Sequence, residues 1–383
     1  MIYIILGLRE AKRKNIKGGK PLRVAVLHNH PIHYMHLLFS AIASLGVKVD
    51  VVFAARTSIL RTASLCPKGL YYRSHFLFDG SFESLPQARS AFQAVRVFAR
   101  LKPDVVIICG YSYLPTWSVL AWAKLSKTPI VLWFESNFFD HPRSKTKELV
   151  KQIFVSAFAA AHVYGKSNRD YLEHLGMSPS KILEKRATVD SGLFMRRRAN
   201  FNAGFRRFVY VGRFSPEKNL LFLLEAFGIA RDKCPAELVM AGYGPEEPLL
   251  REYVQTAGLG EFVKFAGQKT QDEVSKEMAK SDCLVLPSLS ETWGLVVNEA
   301  LCTGLPVIVS DRCGCARDLA KPETGWVFCS ESKEELTAAM LEVCGLPLDR
   351  LQKMGDAAVK LAAEYTPEAC AQRILANLET LIR

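Results

Sequence analysis

Short apolar runs alternate with helical patterns along most of this chain, and this alternation limits the folds that it can adopt. Helical patterns separate the apolar runs of the first half, which are residues 23–30, 48–55, 104–109 and 129–134. Such runs are typical of buried strands, and strands joined through helices pair in parallel with right-handed crossovers. The pattern predicts an α/β protein with doubly wound sheets, in which ligands bind beyond the carboxyl ends of the strands.

A chain of 383 residues is long for one hydrophobic core, so we predict two domains. The predicted parts are an N-terminal tail (1–20), a first Rossmann-like domain (21–194), a basic linker (195–204), a second Rossmann-like domain (205–365) and a C-terminal helix (366–383). The opening apolar stretch, residues 1–8, is too short to span a bilayer, and it precedes its basic cluster, the reverse of a secretory signal. A shallow membrane anchor is the alternative to a plain tail.

Positive charge is concentrated in the first half of the chain. Residues 1–200 carry a net charge of +18 and residues 201–383 a net charge of −6, which together give the +12 of the whole chain. This excess predicts an anionic partner, either a phospholipid surface or an acidic glycan, and solvated surface charge is the alternative. Nucleic acid is not expected, because the second half is acidic and no recognised RNA or DNA motif is present.

Two predicted helices bear on the membrane alternative. On the helix 89–101, Arg89, Arg96 and Arg100 fall nearly on one line. Its apolar residues are predicted to face the core, and these are Phe92, Val95 and Phe98. A second helix, predicted at 153–164, follows a basic segment. Basic faces of this kind suit an anionic lipid surface, and a hydrated surface is the alternative.

The ten cysteines form no metal-binding pattern. There is no Cys-x-x-Cys pair, and Cys313 and Cys315 lack the second pair that a tetrahedral site requires. An Asp-x-Asp pair for a nucleotide-bound divalent ion is also absent from the sequence. Several cysteines lie in apolar runs, as expected of reduced thiols. We therefore predict a cytoplasmic protein, peripheral on the inner face of the membrane if its basic faces bind lipid, that needs no metal and no cofactor.

Two carboxylates eight residues apart, Glu291 and Glu299, mark residues 281–310 as the centre of the candidate site. The stretch has the pattern of a strand, a Pro/Ser turn, a helix from about Gly294 and a second strand. The backbone N–H groups of Gly294 and Leu295 are expected at the helix N-terminus, where the helix dipole favours phosphate. Glycine at this position leaves room for close approach of a ligand.

The Glu-x7-Glu spacing, followed by Ala-Leu-x-x-Gly-x-Pro-Val-Ile at 300–308, resembles the signature of family 4 retaining glycosyltransferases, also called group 1. The resemblance implies a GT-B fold, in which two Rossmann-like domains face a central cleft and the C-terminal helix crosses back to the first domain. It also implies that Glu291 contacts the hydroxyls of the donor sugar, that the amides of Gly294 and Leu295 bind donor phosphate, and that Glu299 holds the ribose hydroxyls. An ordinary βαβ unit with two solvated glutamates is the alternative.

A cationic cluster opens the second domain. Ser215 and Pro216 predict a helix N-terminus that places Lys218 in the first turn, where the helix dipole disfavours a cation. A cation at this position needs an anion, and the guanidinium of Arg213 at the adjacent strand end suits phosphate. Gly212, Arg213 and Lys218 are similar to the diphosphate clamp of the family; a solvated lysine is the alternative.

The acceptor side is predicted from two strand ends in the first domain. His33 lies in the histidine-rich segment 28–36, which forms either an acceptor site or a turn whose imidazoles bond the backbone. This segment lacks the glycine pair that is common in the family. Glu135 follows the strand 129–134, near the point where the family commonly has histidine. We predict that Glu135 orients an acceptor hydroxyl, and a plain surface loop is the alternative.

The family resemblance, taken with these residues, implies a metal-independent retaining glycosyltransferase that moves a hexose-type sugar from a nucleotide-sugar donor to a glycan or lipid-linked acceptor. Arg213, Lys218 and Glu291 are the predicted catalytic residues, because the departing diphosphate needs charge stabilisation more than a general base. Two alternatives stay open. One is a nucleotide-sugar epimerase or phosphorylase on the same fold, and the other is a non-catalytic basic protein that docks on membranes.

Overall fold

The computed structural model describes residues 20–59, 71–140, 143–195, 201 and 204–382. In the first half, the described residues form seven parallel strands: β1 (Arg23–His28), β2 (Lys48–Phe53), β3 (Arg73–Phe76), β4 (Val105–Cys109), β5 (Ile130–Phe134), β6 (Ala160–Val163) and β7 (Ile182–Glu184). Their order across the sheet is β3-β2-β1-β4-β5-β6-β7. The order reverses between β1 and β4, and a crevice at such a point is where ligands bind in open α/β sheets.

Helices cover both faces of this sheet. The helices of the first half are α1 (His33–Ser44), α2 (Gln87–Leu101), α3 (Leu114–Leu125), α4 (Lys145–Ser156), α5 (Lys166–His174) and the single turn α6 (Ser191–Phe194). One face of the sheet packs against α2, α3, α4 and α5, and the other packs against α1. Because both faces are covered, the strands are apolar along almost their whole length, as in β4, where Val105–Ile108 are fully buried.

In the second half, the described residues form six parallel strands in the order β10-β9-β8-β11-β12-β13. The strands are β8 (Arg206–Val211), β9 (Ala236–Ala241), β10 (Val263–Gly267), β11 (Cys283–Leu286), β12 (Val307–Ser310) and β13 (Gly325–Phe328). The helices are α7 (Leu220–Arg231), α8 (Glu247–Thr256), α9 (Gln271–Met278), α10 (Leu295–Cys302), α11 (Ala316–Leu319), α12 (Lys333–Gly345) and α13 (Leu348–Ala362). Some helix starts follow local rules, as at α9, where Thr270 and Glu273 form a capping box.

The last helix, α14 (Pro367–Ile382), packs on the first sheet rather than on the second. Its buried residues Cys370, Ile374 and Leu378 join the core formed by α1 and one face of the first sheet. The chain therefore passes from the second domain back to the first. The predicted tail falls outside the described residues except for Lys20, and the predicted linker falls outside them except for residues 195, 201 and 204.

Two predictions for the first domain are wrong. The apolar run predicted as one helix at 153–164 is divided, since α4 ends at Ser156 and strand β6 begins at Ala160. Periodicity does not separate a buried strand from a buried helix in so short a run. Phe92, predicted to face the core, is 65% exposed, because α2 turns Phe98 to the core instead. Among the described residues, every helix is too short or too polar to span a bilayer.

Candidate active site

Two oppositely charged side chains meet at the carboxyl ends of β8 and β11. Lys218 lies after β8 and donates a hydrogen bond through Nζ to Oε2 of Glu291, which lies in the loop after β11. Both side chains are more than four-fifths buried, so the attraction is stronger than it would be in water. The structure thus brings together two of the three predicted catalytic residues.

The local backbone at Lys218 differs from the prediction. Residues Pro216–Lys218 form a single 3-10 turn, and Asn219 adopts the left-handed conformation with φ of 56° before α7 begins at Leu220. Lys218 therefore precedes the helix instead of occupying its first turn, and the argument from the helix dipole is wrong. The negative charge next to Lys218 is the carboxylate of Glu291.

Gly294 is the N-cap of helix α10 and has a backbone conformation that favours glycine. Its φ is 100°, and an added Cβ would lie 3.0 Å from Cδ2 of Leu286 and 3.3 Å from Sγ of Cys315. The helix starts at Leu295, and the N–H groups of a first helical turn have no acceptor within the helix. The first turn can accordingly present backbone donors to an anion, three residues after Glu291.

Glu299 lies half-buried within α10, five residues after its N-cap Gly294. Burial raises the pKa of its carboxyl group to about 8, because a carboxylate loses hydration and no nearby cation compensates for it. At neutral pH this side chain is therefore mostly protonated. In this form it both donates and accepts hydrogen bonds, as a ligand diol requires.

A cavity of about 230 Å³ opens between the ends of β8, β9 and β10. Its lining residues are Val211, Gly212, Arg213, Ala241, Gly242, Tyr243, Gln268, Lys269 and Val274. Gly242 allows the two strand ends to approach, since an added Cβ would lie 1.8 Å from the carbonyl oxygen of Gly212. Arg213 is exposed at the rim, and within the described chain its guanidinium forms no ion pair.

The sequence analysis did not predict three of the side chains that line this cavity. Tyr243, Gln268 and Lys269 follow β9 and β10, and no motif distinguishes them from ordinary loop residues. The available signal is their position at strand ends in a parallel sheet, where ligands collect. An aromatic ring and an amide at the edge of a 230 Å³ cavity suit a planar heterocycle.

Glu135 and His33 lie on the first-domain side of the cleft in different settings. Glu135 accepts hydrogen bonds from the Tyr164 hydroxyl and from Nζ of Lys185, the latter over 3.5 Å. His33 Nε2 lies 3.5 Å from Oδ2 of Asp190, and the hydrogen bond from His33 helps to lower the pKa of that carboxyl group. Both predicted acceptor residues therefore have fixed partners.

His28 bonds the backbone, which is the alternative to an acceptor site that was given for the histidine-rich segment. Its Nδ1 lies 3.0 Å from the carbonyl oxygen of His30, so this imidazole bonds the backbone of its own turn. The ring is buried, and burial lowers the pKa of His28 to about 4. It is therefore neutral at physiological pH.

Asn137 connects the two domains at the cleft. Its fully buried side-chain amide donates to the carbonyl oxygens of Glu291 (2.9 Å) and Thr292 (3.2 Å). Nearby, the indole of Trp293 packs on Tyr164 with ring centroids 5.5 Å apart. The loop that follows β5 thus lies directly against the loop that carries Glu291, a contact that sequence reasoning did not predict.

Asp318 makes a second contact between the domains. Helix α5 has Gly165 as its N-cap, which offers no side-chain acceptor, and Oδ2 of Asp318 accepts from the backbone N–H of Lys166 instead (3.0 Å). An added Cβ at Gly165 would lie 2.5 Å from that oxygen. The second domain therefore supplies the capping carboxylate of a first-domain helix.

The described residues contain no group of three or more His, Cys, Asp and Glu side chains placed to hold a metal ion. Cys313 and Cys315, which were considered for metal binding, are buried thiols behind the Glu291 loop. Burial raises the pKa of Cys313 to about 12, so it is a thiol rather than a thiolate at neutral pH.

The second half of the chain matches the model of a known protein family, and nearly the whole chain matches solved structures in fold. Residues 193–361 match the model of the family described as glycosyl transferases group 1. A curated relative, the putative colanic acid biosynthesis glycosyltransferase WcaL of Salmonella typhimurium, is 24% identical over 218 residues, which cover 55% of this chain and 54% of the relative. The chain spans about half the length of the curated relatives it matches.

Two solved structures match nearly the whole chain. The lipopolysaccharide outer core galactosyltransferase WaaB, in its apo form, matches with a TM-score of 0.74 at 17% identity, over 94% of this chain and 99% of that chain. Anabaena HepE in complex with UDP matches with a TM-score of 0.74 at 15% identity, over 94% of this chain and 100% of that chain. The predicted fold, with two Rossmann-like domains facing a cleft, is confirmed.

Proposed function

We propose that this chain is a retaining glycosyltransferase, because residues 193–361 match the model of the group 1 glycosyl transferases and the whole chain has the GT-B fold. It moves a hexose-type sugar from a nucleotide-sugar donor to a glycan or lipid-linked acceptor. Relatives named for colanic acid and phosphatidyl-myo-inositol glycosylation favour acceptors of these two classes. The donor occupies the second domain and the acceptor the first.

The observation that carries this proposal is the meeting of Lys218, Glu291 and the start of α10 at the strand ends of the second domain. The base lies in the cavity beside Tyr243, and the ribose lies near Glu299. The diphosphate lies against Arg213, Lys218 and the first-turn amides at Gly294 and Leu295. Lys218 pairs with Glu291, and with donor bound Lys218 contacts phosphate and Glu291 accepts from the sugar hydroxyls.

The cations and amides supply the chemistry that transfer requires. The bond between the anomeric carbon and the diphosphate oxygen breaks, and its electron pair stays on the diphosphate, where the positive groups stabilise it. The acceptor oxygen bonds to the anomeric carbon from the face that the diphosphate leaves, so the configuration is retained. The acceptor proton passes to the departing phosphate oxygen. The protein cations thus stabilise the charge on the departing diphosphate in place of a divalent ion, and the reaction needs no cofactor.

The test is a binding and turnover screen of the purified protein against UDP-, GDP- and ADP-sugars, beginning with UDP-sugars. We expect one nucleotide sugar to bind and to be slowly hydrolysed, and both Lys218→Ala and Glu291→Ala to lower the rate about 100-fold. Lys264→Ala is the matched control, because Lys264 pairs with Glu237 on the exposed side of the same domain. If no nucleotide sugar binds at millimolar concentration to the folded protein, the proposal is wrong and the non-catalytic docking protein replaces it.

We further propose a cytoplasmic location, peripheral on an anionic membrane. Helices α2 and α4 lie on the same side of the first sheet, and both leave large apolar side chains in solvent. Phe92 on α2 lies beside the exposed Arg96, whose guanidinium is 5.6 Å from the ring centroid. On α4, Leu149 and Ile153 are more than half exposed. Apolar side chains next to basic ones suit the interface of an acidic bilayer.

A further inference from the structure

Lys185 is a lysine whose side chain is fully buried beneath the cleft of the first domain. Its Nζ lies 3.5 Å from Oε1 of Glu135, 3.9 Å from the ring centroid of Tyr164 and 4.4 Å from that of Trp133. Removing an ammonium group from water costs several kcal/mol unless a carboxylate and polarisable groups compensate. A buried lysine at this position therefore needs a reason beyond packing.

The partner of Lys185 faces the cleft. Glu135 follows β5, and its side chain is 41% exposed, whereas Lys185 behind it has no exposure. Burial by itself raises the pKa of Glu135, but the charge of Lys185 and the Tyr164 hydrogen bond outweigh burial, and the net pKa is lowered. Glu135 is thus held as a carboxylate with its free oxygen available to the cleft.

The other titratable groups around this pair are neutral at physiological pH. Burial lowers the pKa of His28 to about 4 and that of His162 to about 3, and His162 Nδ1 also accepts from Trp133 Nε1 at 3.0 Å. Burial raises the pKa values of the Cys109 and Cys370 thiols. Among the described residues, Glu135 is the only carboxylate in salt-bridge contact with Lys185.

The pair lies next to the donor loop. Tyr164, which binds Glu135 and stacks against Lys185, also packs on Trp293, two residues after Glu291. Asn137, two residues after Glu135, donates to the Glu291 carbonyl. The chain segments that carry Glu135 and Glu291 therefore meet from opposite domains.

We infer that Lys185 and Tyr164 are positioning residues that hold Glu135 as a fixed carboxylate, which accepts a hydrogen bond from the attacking hydroxyl of the acceptor. This inference rests on the proposed glycosyl transfer. Glu135 takes no proton, since the departing phosphate receives it; the carboxylate aligns the hydroxyl and increases electron density on its oxygen. A hydroxyl suits this role, since it donates one hydrogen bond to the carboxylate and keeps lone pairs for the attack.

The first experiment needs no substrate. Melting temperatures are measured from pH 5 to pH 8 for the wild type, Lys185→Met, Glu135→Gln and the double variant. Glu135→Gln leaves the buried ammonium of Lys185 without its carboxylate, and Lys185→Met leaves the partly exposed carboxylate of Glu135 without its cation. Each change therefore lowers the melting temperature, and the loss in Lys185→Met grows as pH rises and Glu135 ionises. The double variant melts above the Lys185→Met protein at pH 8. Additive losses at every pH would overturn the pairing.

The second experiment measures hydrolysis of the nucleotide sugar identified by the screen, with water in place of the acceptor hydroxyl. We expect Lys185→Met and Glu135→Gln each to slow hydrolysis at least 10-fold, and the double variant to be no slower than the slower single variant. Tyr164→Phe, which keeps the ring, gives a smaller loss. Affinities for the nucleotide sugar and the nucleoside diphosphate stay within twofold of the wild type.

A matched control lies in the same domain. Lys151 is also buried, and its Nζ contacts Glu148 (2.9 Å) and Tyr171 (2.6 Å). Tyr171 packs on the opposite face of the first sheet from Trp133, the ring that contacts Lys185. Lys151→Met should therefore lower the melting temperature without changing hydrolysis.

The possible outcomes distinguish failure of the positioning role from failure of the transferase proposal. Wild-type rates in both Lys185→Met and Glu135→Gln would overturn the positioning role while leaving the transferase proposal intact. Weaker binding of the nucleotide sugar but not of the nucleoside diphosphate would show that Glu135 contacts the donor sugar, and the acceptor role would be wrong. A wild-type protein that binds no nucleotide sugar would overturn the transferase proposal, and the acceptor role of Glu135 would fall with it.

Discussion

The side-chain amide of Asn137 donates to the carbonyl oxygen of Glu291 at 2.9 Å, which joins the first domain to the loop that carries a predicted catalytic carboxylate. Asn137 is fully buried, and its own Oδ1 accepts from the backbone N–H of Phe139. The amide is therefore held in one orientation. Through it, the position of the Glu291 loop depends on a residue 154 positions earlier in the chain.

We predict that Asn137→Ala lowers turnover of the donor about 10-fold, because a hydrogen-bonding contribution of about 1 kcal/mol to the loop position is lost. Asn137→Asp should be worse, since a carboxylate oxygen would face two carbonyl oxygens. Steady-state kinetics with the donor from the screen measure both. Ser118→Ala is the control, because the Ser118 hydroxyl also donates to a backbone carbonyl of the same domain, that of Ala91 (3.2 Å), and joins α3 to α2. Turnover equal to that of the wild type in both Asn137 variants would contradict the prediction.

Gly242→Ala should damage the nucleotide site. The new Cβ would lie 1.8 Å from the Gly212 carbonyl oxygen, and backbone cannot yield as a flexible side chain does, so we expect a cost of about 3 kcal/mol and separation of the ends of β8 and β9. Thermal melting and nucleoside diphosphate titration test this. Gly260→Ala is the comparison, since no atom lies within 4 Å of its added Cβ. Equal melting and affinity in the two variants would refute the close approach.

Glu299 should make the free energy of unfolding of the protein depend on pH. Its folded-state pKa, about 8, is raised above the unfolded value, so its favourable contribution is complete below the unfolded pKa and is lost as pH rises through about 8. Glu299→Gln should remove that loss and unfold at higher denaturant at pH 8, by on the order of 2 kcal/mol. Urea unfolding at pH 5 and pH 8 measures the difference. A difference between wild type and variant that does not change with pH would show that Glu299 ionises normally.

The exposed face of α2 and α4 should bind acidic vesicles. We expect the protein to sediment with vesicles of phosphatidylcholine and phosphatidylglycerol and much less with phosphatidylcholine alone, and 0.5 M salt should release it. Arg96→Glu combined with Ile153→Ser should abolish sedimentation, since one change reverses a charge and the other removes apolar contact on exposed positions. Lys264→Glu, on the second domain, should have no effect. Equal binding to neutral vesicles would contradict the electrostatic part of the proposal.

The extent to which the sequence predicted the site differs between the two domains. In the second domain, Glu291, Gly294 and Leu295 lie within one strand-helix-strand unit, so their relative placement follows from local rules. For Lys218 the argument from the helix dipole was wrong, because a 3-10 turn replaces the predicted helical turn, and its ion pair with Glu291 was not predicted. In the first domain, the predicted helix at 153–164 was wrong, since a short apolar run has the same composition in a strand and in a helix.

What the amino-acid sequence determined by itself is the α/β alternation, most of the strands and the glycine at the start of α10, because these depend on neighbours in the chain. Only the tertiary structure decided that Lys185 is buried behind Glu135, that Asn137 holds the Glu291 loop, and that Asp318 caps α5 from the other domain. These contacts join residues 50 to 154 positions apart. Their geometry depends on how the two sheets pack across the cleft, which no local pattern records.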